Sequence, residues 1–418
     1  MKVLVIGSGG REHAIVTALR KSPKIKELYC APGNGGIAQL ATCVPIKATD
    51  LAGMVSFAKD TGIDFVVVAP DDPLALGMVN AMEQAGISAF GPSAKAAVIE
   101  SSKAFSKDLM AKYNIPTARY QVFDGDIEAA ISYIRDQGAP IVVKCDGLAL
   151  GKGVVVAQTV EEAEQAVRAM MEDGQFGTSG AKVVIEECMT GPEVTVLAFI
   201  DGKTIRPMPS AQDHKRAFTG DKGPNTGGMG AFCPSPKYTK DLEAVCMDTI
   251  FRPTVEAMTK EGRPFKGVLY FGLMLTADGP KVIEYNARFG DPETQAVLAL
   301  LETDLLEIFQ AVVEERLDEV EIKWSDQSAC CVVLASGGYP GAYETGKEIT
   351  GLNEVPEDVT VYHAGTRAED GIYKTAGGRV LGVTGTGENL EQAAERAYTG
   401  LAKIDFADMQ YRTDIGKK

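Results

Sequence analysis

MKVLVIGSGGREHAIVTALRK, residues 1–21, decides the fold of the first part of the chain. VLVI (3–6) is a short β-branched run, GSGG (7–10) a glycine-rich turn, and REHAIVTALRK (11–21) has helical spacing. ELYC (27–30), a turn, LAGMVSFAKD (51–60) and FVVVA (65–69) repeat the alternation, and GPS at 91–93 closes the unit. Strands separated by helices need crossover connections, so the expectation is a doubly wound parallel sheet with ligands at the strand C-termini.

GSGGREH (7–13) opens the first helix, where unpaired backbone N–H groups hold anions. As a dinucleotide fingerprint it fails twice. The third glycine of G-x-G-x-x-G would fall on Glu12, and no acidic residue ends ELYC before APGNGG. Gly7, Gly9 and Gly10 therefore read as a cradle for one phosphate or as a tight turn, and a dehydrogenase is disfavoured. His13 reads as a structural or hydrogen-bonding group rather than a base.

At 418 residues the chain is too long for one core and suggests two to four packed units. Hydrophobic residues at 45% and charged residues at 24% exclude disorder and fibre. The net charge is −15, with the acidic excess in the middle of the chain, and no part is broadly basic, so nucleic acid is not an expected partner. Cysteines 30, 43, 145, 188, 233, 246, 330 and 331 form no C-x-x-C pair and read as buried free thiols in a reducing compartment. The first residues turn polar too soon for a secretory signal, and runs such as FVVVA are far shorter than a membrane span. A cytoplasmic protein, not bound to a membrane and either a monomer or a small homo-oligomer, is expected.

Further along, SKAFSKDLMAKYN (102–114) is a helix running to Pro116. Between about 119 and 189 lies a compact α+β insert: PIVVK (140–144), the turn DGLALGKG (146–153), VVVA (154–157), the helix EEAEQAVRAMM (161–171) and KVVIEE (182–187). Its glycine-joined hairpin reads as a flap rather than a core. EVTVLAFI and KGVLYFGLMLT are longer strands, with D-G turns at 201–202 and 278–279 suited to hairpins. After Trp324, SACCVVLAS (328–336) opens a smaller unit that ends in the helix ENLEQAAERAYTGLAK (388–403) and shows no evident catalytic cluster. The expected fold is multi-domain, α/β and α+β, divided as 1–101, 102–326 and 327–418.

Lys144 and Lys152 bracket Gly147, Gly151 and Gly153, and two cations around a glycine hairpin suit a triphosphate. The loop is not a Walker A. Glu186 and Glu187 end a strand and could accept from an adenine amino group or ribose hydroxyls. In IEYNARFGDPETQ (283–295), Glu284 and Asn286 share one strand face, a hard-ligand pair suited to Mg²⁺ bridging phosphates. Arg288 joins that face if the strand continues, ready for a phosphoryl or carboxylate group. The competing reading is a solvated strand edge.

SAQDHKRAFTGDKGPNTGGMGAFCP (210–234) sets Asp213, His214, Lys215, Arg216, Asp221 and Lys222 ahead of Gly227, Gly228 and Gly230. So polar a run is read as a binding loop and not as a core strand. His214 has no matching nucleophile for a triad.

Together GSGGREH, KCDGLALGKGVVVA, AQDHKRAFTGDKGPNTGGMGA and IEYNARFGDPETQ resemble the glycinamide ribonucleotide synthetases (phosphoribosylamine–glycine ligases), ATP-grasp enzymes of purine biosynthesis. The resemblance runs from Met1 to the DIG at 414–416. It implies a Rossmann-like amino-terminal substrate domain, a central ATP-grasp domain with a mobile flap, and a small carboxy-terminal domain. The implied reaction phosphorylates glycine with ATP; the amine of 5-phosphoribosylamine then displaces phosphate. By similarity Lys103, Lys144, Gly151, Lys152, Gly153, Glu186, Glu187 and Glu193 would hold ATP. Glu284 and Asn286 would hold Mg²⁺ or Mn²⁺. Asp213, Lys215, Asn225, Thr226, Gly227, Gly228, Asp291, Pro292 and Glu293 would surround the substrates, with Arg288 and Asp213 catalytic. Gly9, Gly10, Arg11 and Glu12 would take the sugar phosphate.

Three departures stand out. Asp71, in APDDP, replaces the family's longer Glu; Ser101 stands where glycine is usual; and YFGLMLT offers no carboxylate for a second metal. The alternatives are another ATP-grasp carboxylate–amine ligase or carboxylase acting on a purine intermediate, and a non-catalytic nucleotide-binding module.

Overall fold

The computed structural model describes residues 1–148, 153–172 and 181–417. The first sheet is parallel throughout, in the order β3 (Thr42–Cys43), β2 (Glu27–Pro32), β1 (Lys2–Gly7), β4 (Phe65–Val68), β5 (Ser88–Phe90). Its strands are apolar and largely buried because helices cover both faces, as the alternating rhythm predicts. Neighbours of β1 run off in opposite directions, so the switch point falls at the C-terminal end of β1, where the glycine loop and the helix Gly10–Leu19 begin.

The insert holds more than the sequence reading allowed. β6 (Tyr120–Asp124), β7 (Ile141–Cys145), β8 (Val154–Ala157) and β9 (Lys182–Glu187) form an antiparallel sheet in the order β6-β9-β7-β8. The helices Ile127–Gln137 and Val160–Met171 bury Ile131, Ile134, Val167 and Met170. A core of its own, including Ile134, Val143, Ala163 and Ile185, replaces the bare flap expected from the hairpin alone. The missed pieces were β6 and the helix after it, whose amphipathic spacing closes that core.

The central sheet is antiparallel, in the order β11 (Ile205–Pro207), β10 (Glu193–Asp201), β16 (Lys266–Thr276), β17 (Gly279–Asn286). Both D-G turns are hairpins, with Gly202 at φ 99° and Gly279 at φ 111°, where glycine escapes the Cβ penalty. Two apolar clusters join this sheet to the first one, so the two share a core.

The polar run 210–234 is not simply a loop. It contains β12 (Gln212–Asp213), the hairpin β13 (Arg216–Phe218) and β14 (Lys222–Asn225), and the fully buried β15 (Gly230–Cys233). β15 pairs with β18 (Ser328–Ala335), which extends a sheet completed by β20 (Val359–His363) and β23 (Arg379–Gly387) in the order β12-β15-β18-β23-β20. A small sheet of β19 (Glu348–Ile349), β21 (Thr366–Glu369) and β22 (Ile372–Thr375) lies beside it, and the helix Leu390–Leu401 packs on β23. The reading of 210–234 as excluding a core strand is thus wrong at its end, where Gly-Ala-Phe-Cys is small and apolar enough for a sheet interior. All eight cysteines are free; six are buried, while Cys43 and Cys188 are only half-buried.

Candidate functional site

Ionised Glu284 is the focus of the site. Burial alone would raise its carboxyl, but Lys215, Lys144, Lys103 and Arg288 bring it down to about 2. Those cations arrive from four segments. Lys103 starts the helix Lys103–Lys112 and donates to the Gly147 carbonyl at 2.9 Å. Lys144, next to last in β7, donates to Ile283 O on β17 at 3.2 Å. Lys215 lies 3.5 Å from Glu284 and 3.5 Å from Glu193. Arg288 donates to Asn286 Oδ1 at 3.3 Å and pairs with Glu100 at 3.0 Å. Asp71 stands 4.0 Å from the same guanidinium, which holds its carboxyl low against the effect of burial. Arg288 Nε is buried without a hydrogen-bond partner among the described residues.

Glu284 and Asn286 are fit for a hard cation. Their ligating atoms are a carboxylate and an amide oxygen, engaged among the described residues only by the loose Lys215 pair and one long bond from Arg288. Among the described residues no cluster of three or more acidic, histidine or cysteine ligands forms, so the remaining ligands would come from phosphates and water.

Glu186 and Glu187 point to opposite faces of β9. Glu186 is buried and lies 3.0 Å from both Lys107 and Lys144. Burial brings the Lys107 ammonium down to about 8, in spite of Glu186. Glu187 accepts from the Arg119 side chain at 2.7 Å and its backbone N–H at 3.1 Å. Both carboxylates have cations beside them on other elements, while Glu186 Oε1 accepts no hydrogen bond among the described residues. Gly153 O accepts from Cys145 N–H at 2.9 Å at the neck of the hairpin; Gly151 and Lys152 lie outside the described residues.

The first-helix loop has an occupant of its own. Glu12 folds back to accept from Gly9 N–H at 2.5 Å, the one half of a capping box that a glycine N-cap allows, and Arg11 pairs with it at 2.5 Å. Arg11 also reaches Phe289 O at 3.1 Å. The expected phosphate cradle is therefore part-filled by a carboxylate, the chemistry that favours anions there having been met from within. A Cβ on Gly9 would stand 3.4 Å from Asp291 Oδ2, which places this loop beside the Asp291 turn. His13 is buried and accepts on Nδ1 from the His363 N–H at 2.7 Å; burial, with His363, drops its pKa to about 3.

Asp213, at the end of β12, is half-buried; desolvation and the neighbouring Glu293 raise its carboxyl well above the ordinary value. Glu293 is raised by burial too and accepts from Thr195 at 3.4 Å. A cleft lined by Glu193, Thr195, Asp213, Lys215 and Tyr270 joins them to the Glu284 cluster. Gly228, at φ 114°, has no room for a Cβ against the Pro292 ring and Asp213. Thr226 spends its hydroxyl locally, donating to Lys215 O at 2.8 Å and accepting from Gly228 N–H at 3.0 Å, while Asn225 pairs with Arg216 across the hairpin. Asp291 is held low by Arg379, against burial. Lys215, grouped with the substrate loop in the sequence reading, thus also bears on the metal-type carboxylate.

Sequence reasoning missed Glu100, Lys107 and Arg379. The carboxy-terminal unit was read as having no functional cluster, yet Arg379 at the start of β23 lies against Asp291. A single arginine amid GGRV carries no spacing signal.

Models of the phosphoribosylglycinamide synthetase N domain, ATP-grasp (A) domain and C domain match residues 1–100, 101–294 and 329–418. The phosphoribosylamine–glycine ligase of a Nostoc species is 51% identical over 423 residues, covering 100% of this chain and 99% of its own. That of Caldanaerobacter subterraneus is 48% identical over 415 residues, 99% of each chain. The crystal structure of the Thermotoga maritima phosphoribosylamine–glycine ligase matches with a TM-score of 0.85 at 34% identity, over 99% of this chain and 100% of that one. The biotin carboxylase domain of Hydrogenobacter thermophilus 2-oxoglutarate carboxylase matches at 0.76 and 15% identity, over 98% and 91% of the two chains, a likeness of fold alone.

Proposed function

This chain belongs to the phosphoribosylglycinamide synthetase family, and on that premise we propose that it joins glycine to 5-phosphoribosylamine at the expense of ATP, through a glycyl phosphate. What supports the reading is the convergence on Glu284 of cations from four segments, beside a cleft lined by Glu193, Thr195, Asp213 and Lys215. A carboxylate is a poor electrophile, and its approach to a triphosphate joins two anions, so positioned cations supply most of what this chemistry needs.

Lys103 and Lys144 neutralise the nucleotide phosphates, and Gly151, Lys152 and Gly153 of the glycine loop are assigned to the same phosphates. Glu193 borders the same space; Glu186 and Glu187 act there by aligning Lys144 and Arg119. Glu284 and Asn286 would hold Mg²⁺ or Mn²⁺, which would supply positive charge for the phosphoryl group being transferred. Lys215 and the unpartnered Nε of Arg288 face the carboxylate that receives it. Asp213, with the Asn225–Gly228 turn and Asp291, Pro292 and Glu293, orients glycine and the incoming amine. Gly10 and Arg11 keep first-turn amides that the helix leaves unpaired, and these are assigned to the sugar phosphate. The insert covers the nucleotide and keeps water from the acyl phosphate. A cytoplasmic setting suits a chain whose described residues include no helix long and apolar enough to cross a membrane.

The test is ADP release by the purified protein with ATP, glycine and phosphoribosylamine supplied or withheld in turn. Turnover is expected only with all three present; turnover that ignores glycine overturns the assignment.

A further inference from the structure

Arg379 comes from the carboxy-terminal unit, yet its guanidinium is committed to two turns of the substrate cleft. Nη1 donates to Gly227 O at 2.6 Å, to Asp291 O at 2.7 Å and more weakly to Gly228 O at 3.4 Å. Nη2 lies 3.3 Å from Asp291 Oδ2. A second residue of the same unit holds the first turn beside Arg379, because Gly227 N–H donates to Tyr339 Oη at 3.0 Å. The direction of Arg379 is itself built in. The β18–β23 ladder shifts register between Leu334 and Ala335, opposite the start of β23, and a bulge at a strand end re-aims the side chain beside it.

The two turns it gathers are in direct contact. Gly228 packs on Pro292 so closely that no Cβ fits, and Asp213 closes the same spot. Half-buried Asp213 is carried by β12, next to β15, and buried Glu293 follows Pro292 directly, so the separation of these two carboxyls depends on how the turns meet. A planar guanidinium with several donors in a rigid fork fixes that meeting; an ammonium has no such fork.

We infer that Arg379 is a positioning residue of the ligase site: it docks the Gly227–Gly228 turn on the Asp291 turn and thereby sets the Asp213–Glu293 cleft that receives the small substrates, leaving the nucleotide subsite untouched. The inference rests on the reading proposed above.

Steady-state kinetics of Arg379→Met and Arg379→Lys, with ATP binding measured separately by calorimetry, test it. Arg379→Met is expected to lower kcat/KM for glycine and for phosphoribosylamine by about 10²-fold, with ATP affinity within about twofold of wild type, because Lys103 and Lys144, assigned to the nucleotide phosphates, lie on other segments. Arg379→Lys should recover less than a tenth of the loss, since one ammonium cannot hold two carbonyls and a carboxylate in the same plane. Equal losses in ATP binding and in glycine use, or full recovery by lysine, would show a general structural staple and overturn the inference. Should Arg379→Met fail to fold, Tyr339→Phe removes only the acceptor of the Gly227 N–H; it should raise the glycine KM by roughly twofold to tenfold at unchanged ATP affinity, and no change overturns the inference. Absence of glycine-dependent turnover in the wild type would instead sink the ligase reading, so the two failures are told apart.

Discussion

The insert, β6 to β9, and the carboxy-terminal unit are each an antiparallel sheet with helical cover and a core of their own. Their attachments to the rest of the molecule differ in kind. The insert meets its neighbours through polar contacts: Lys144 on Ile283 O, the Lys107–Glu186 pair, and Asp146 accepting from Ala104 N–H at 3.0 Å. The carboxy-terminal unit shares a hydrogen-bonded ladder with β12 and β15, and its Arg412 grips Asp221 at 2.7 Å below the β13–β14 hairpin. Side-chain ion pairs can be exchanged for contacts to a phosphate; a continuous ladder cannot be opened without losing many backbone bonds at once. One region is therefore attached as a lid is, and the other as a wall.

The harshest test strikes the group both regions address. Lys144 of the insert and Lys215, between β12 and β13, both bear on Glu284. Glu284→Ala is expected to cut turnover by about 10²-fold or more, with a higher metal requirement; ADP release against metal concentration checks it, and unchanged kcat would contradict the assignment.

Next comes the insert's polar attachment. Glu186→Gln leaves Lys107 and Lys144 buried without their carboxylate, and breaking such a cluster by one partner costs about 3–5 kcal/mol. Urea unfolding should show an early transition confined to the insert, with the carboxy-terminal unit unaffected; one unshifted transition would erase the distinction drawn here.

The smallest effect concerns pH, and it should fall on the wall. His13 on the first helix meets His363 of β20, and its pKa is lowered from 6.5 to about 3, chiefly by burial. The unfolded chain binds the proton more readily, so stability is full above about 6.5 and is lost as pH falls toward 3. The loss is on the order of 1–2 kcal/mol by about pH 5.5. Melting curves of the wild type should slope over that range, and those of His13→Gln should be flatter; equal slopes would remove the histidine contact as the cause.

Much of this was legible in the chain. The alternation in residues 1–100 became the parallel sheet, and KVVIEE and KGVLYFGLMLT became strands with the same ends as read. Glu284 and Asn286 could be put on one face from their spacing, although the ladder shifts register between Gly272 and Leu273 just before them. The insert's core was less legible because β6 is only half-buried, so its pattern lacks a clear apolar run. β15 was hidden by the polar stretch before it. The pairing of Glu186, Glu12 and Glu187 could not be read at all, since a carboxylate looks the same in sequence whether free or matched.

Sequence alone determined which elements form, where the hairpins turn and which side chains share a strand face, because those follow from local backbone geometry with periods of two and 3.6 residues. Only the tertiary structure decided which charged groups remain available. Arg379 meets Asp291 across 88 residues and Lys144 meets Ile283 across 139. Partnerships at that range depend on how separate sheets dock, and docking is settled by burial and register over the whole chain rather than by any local run of residues.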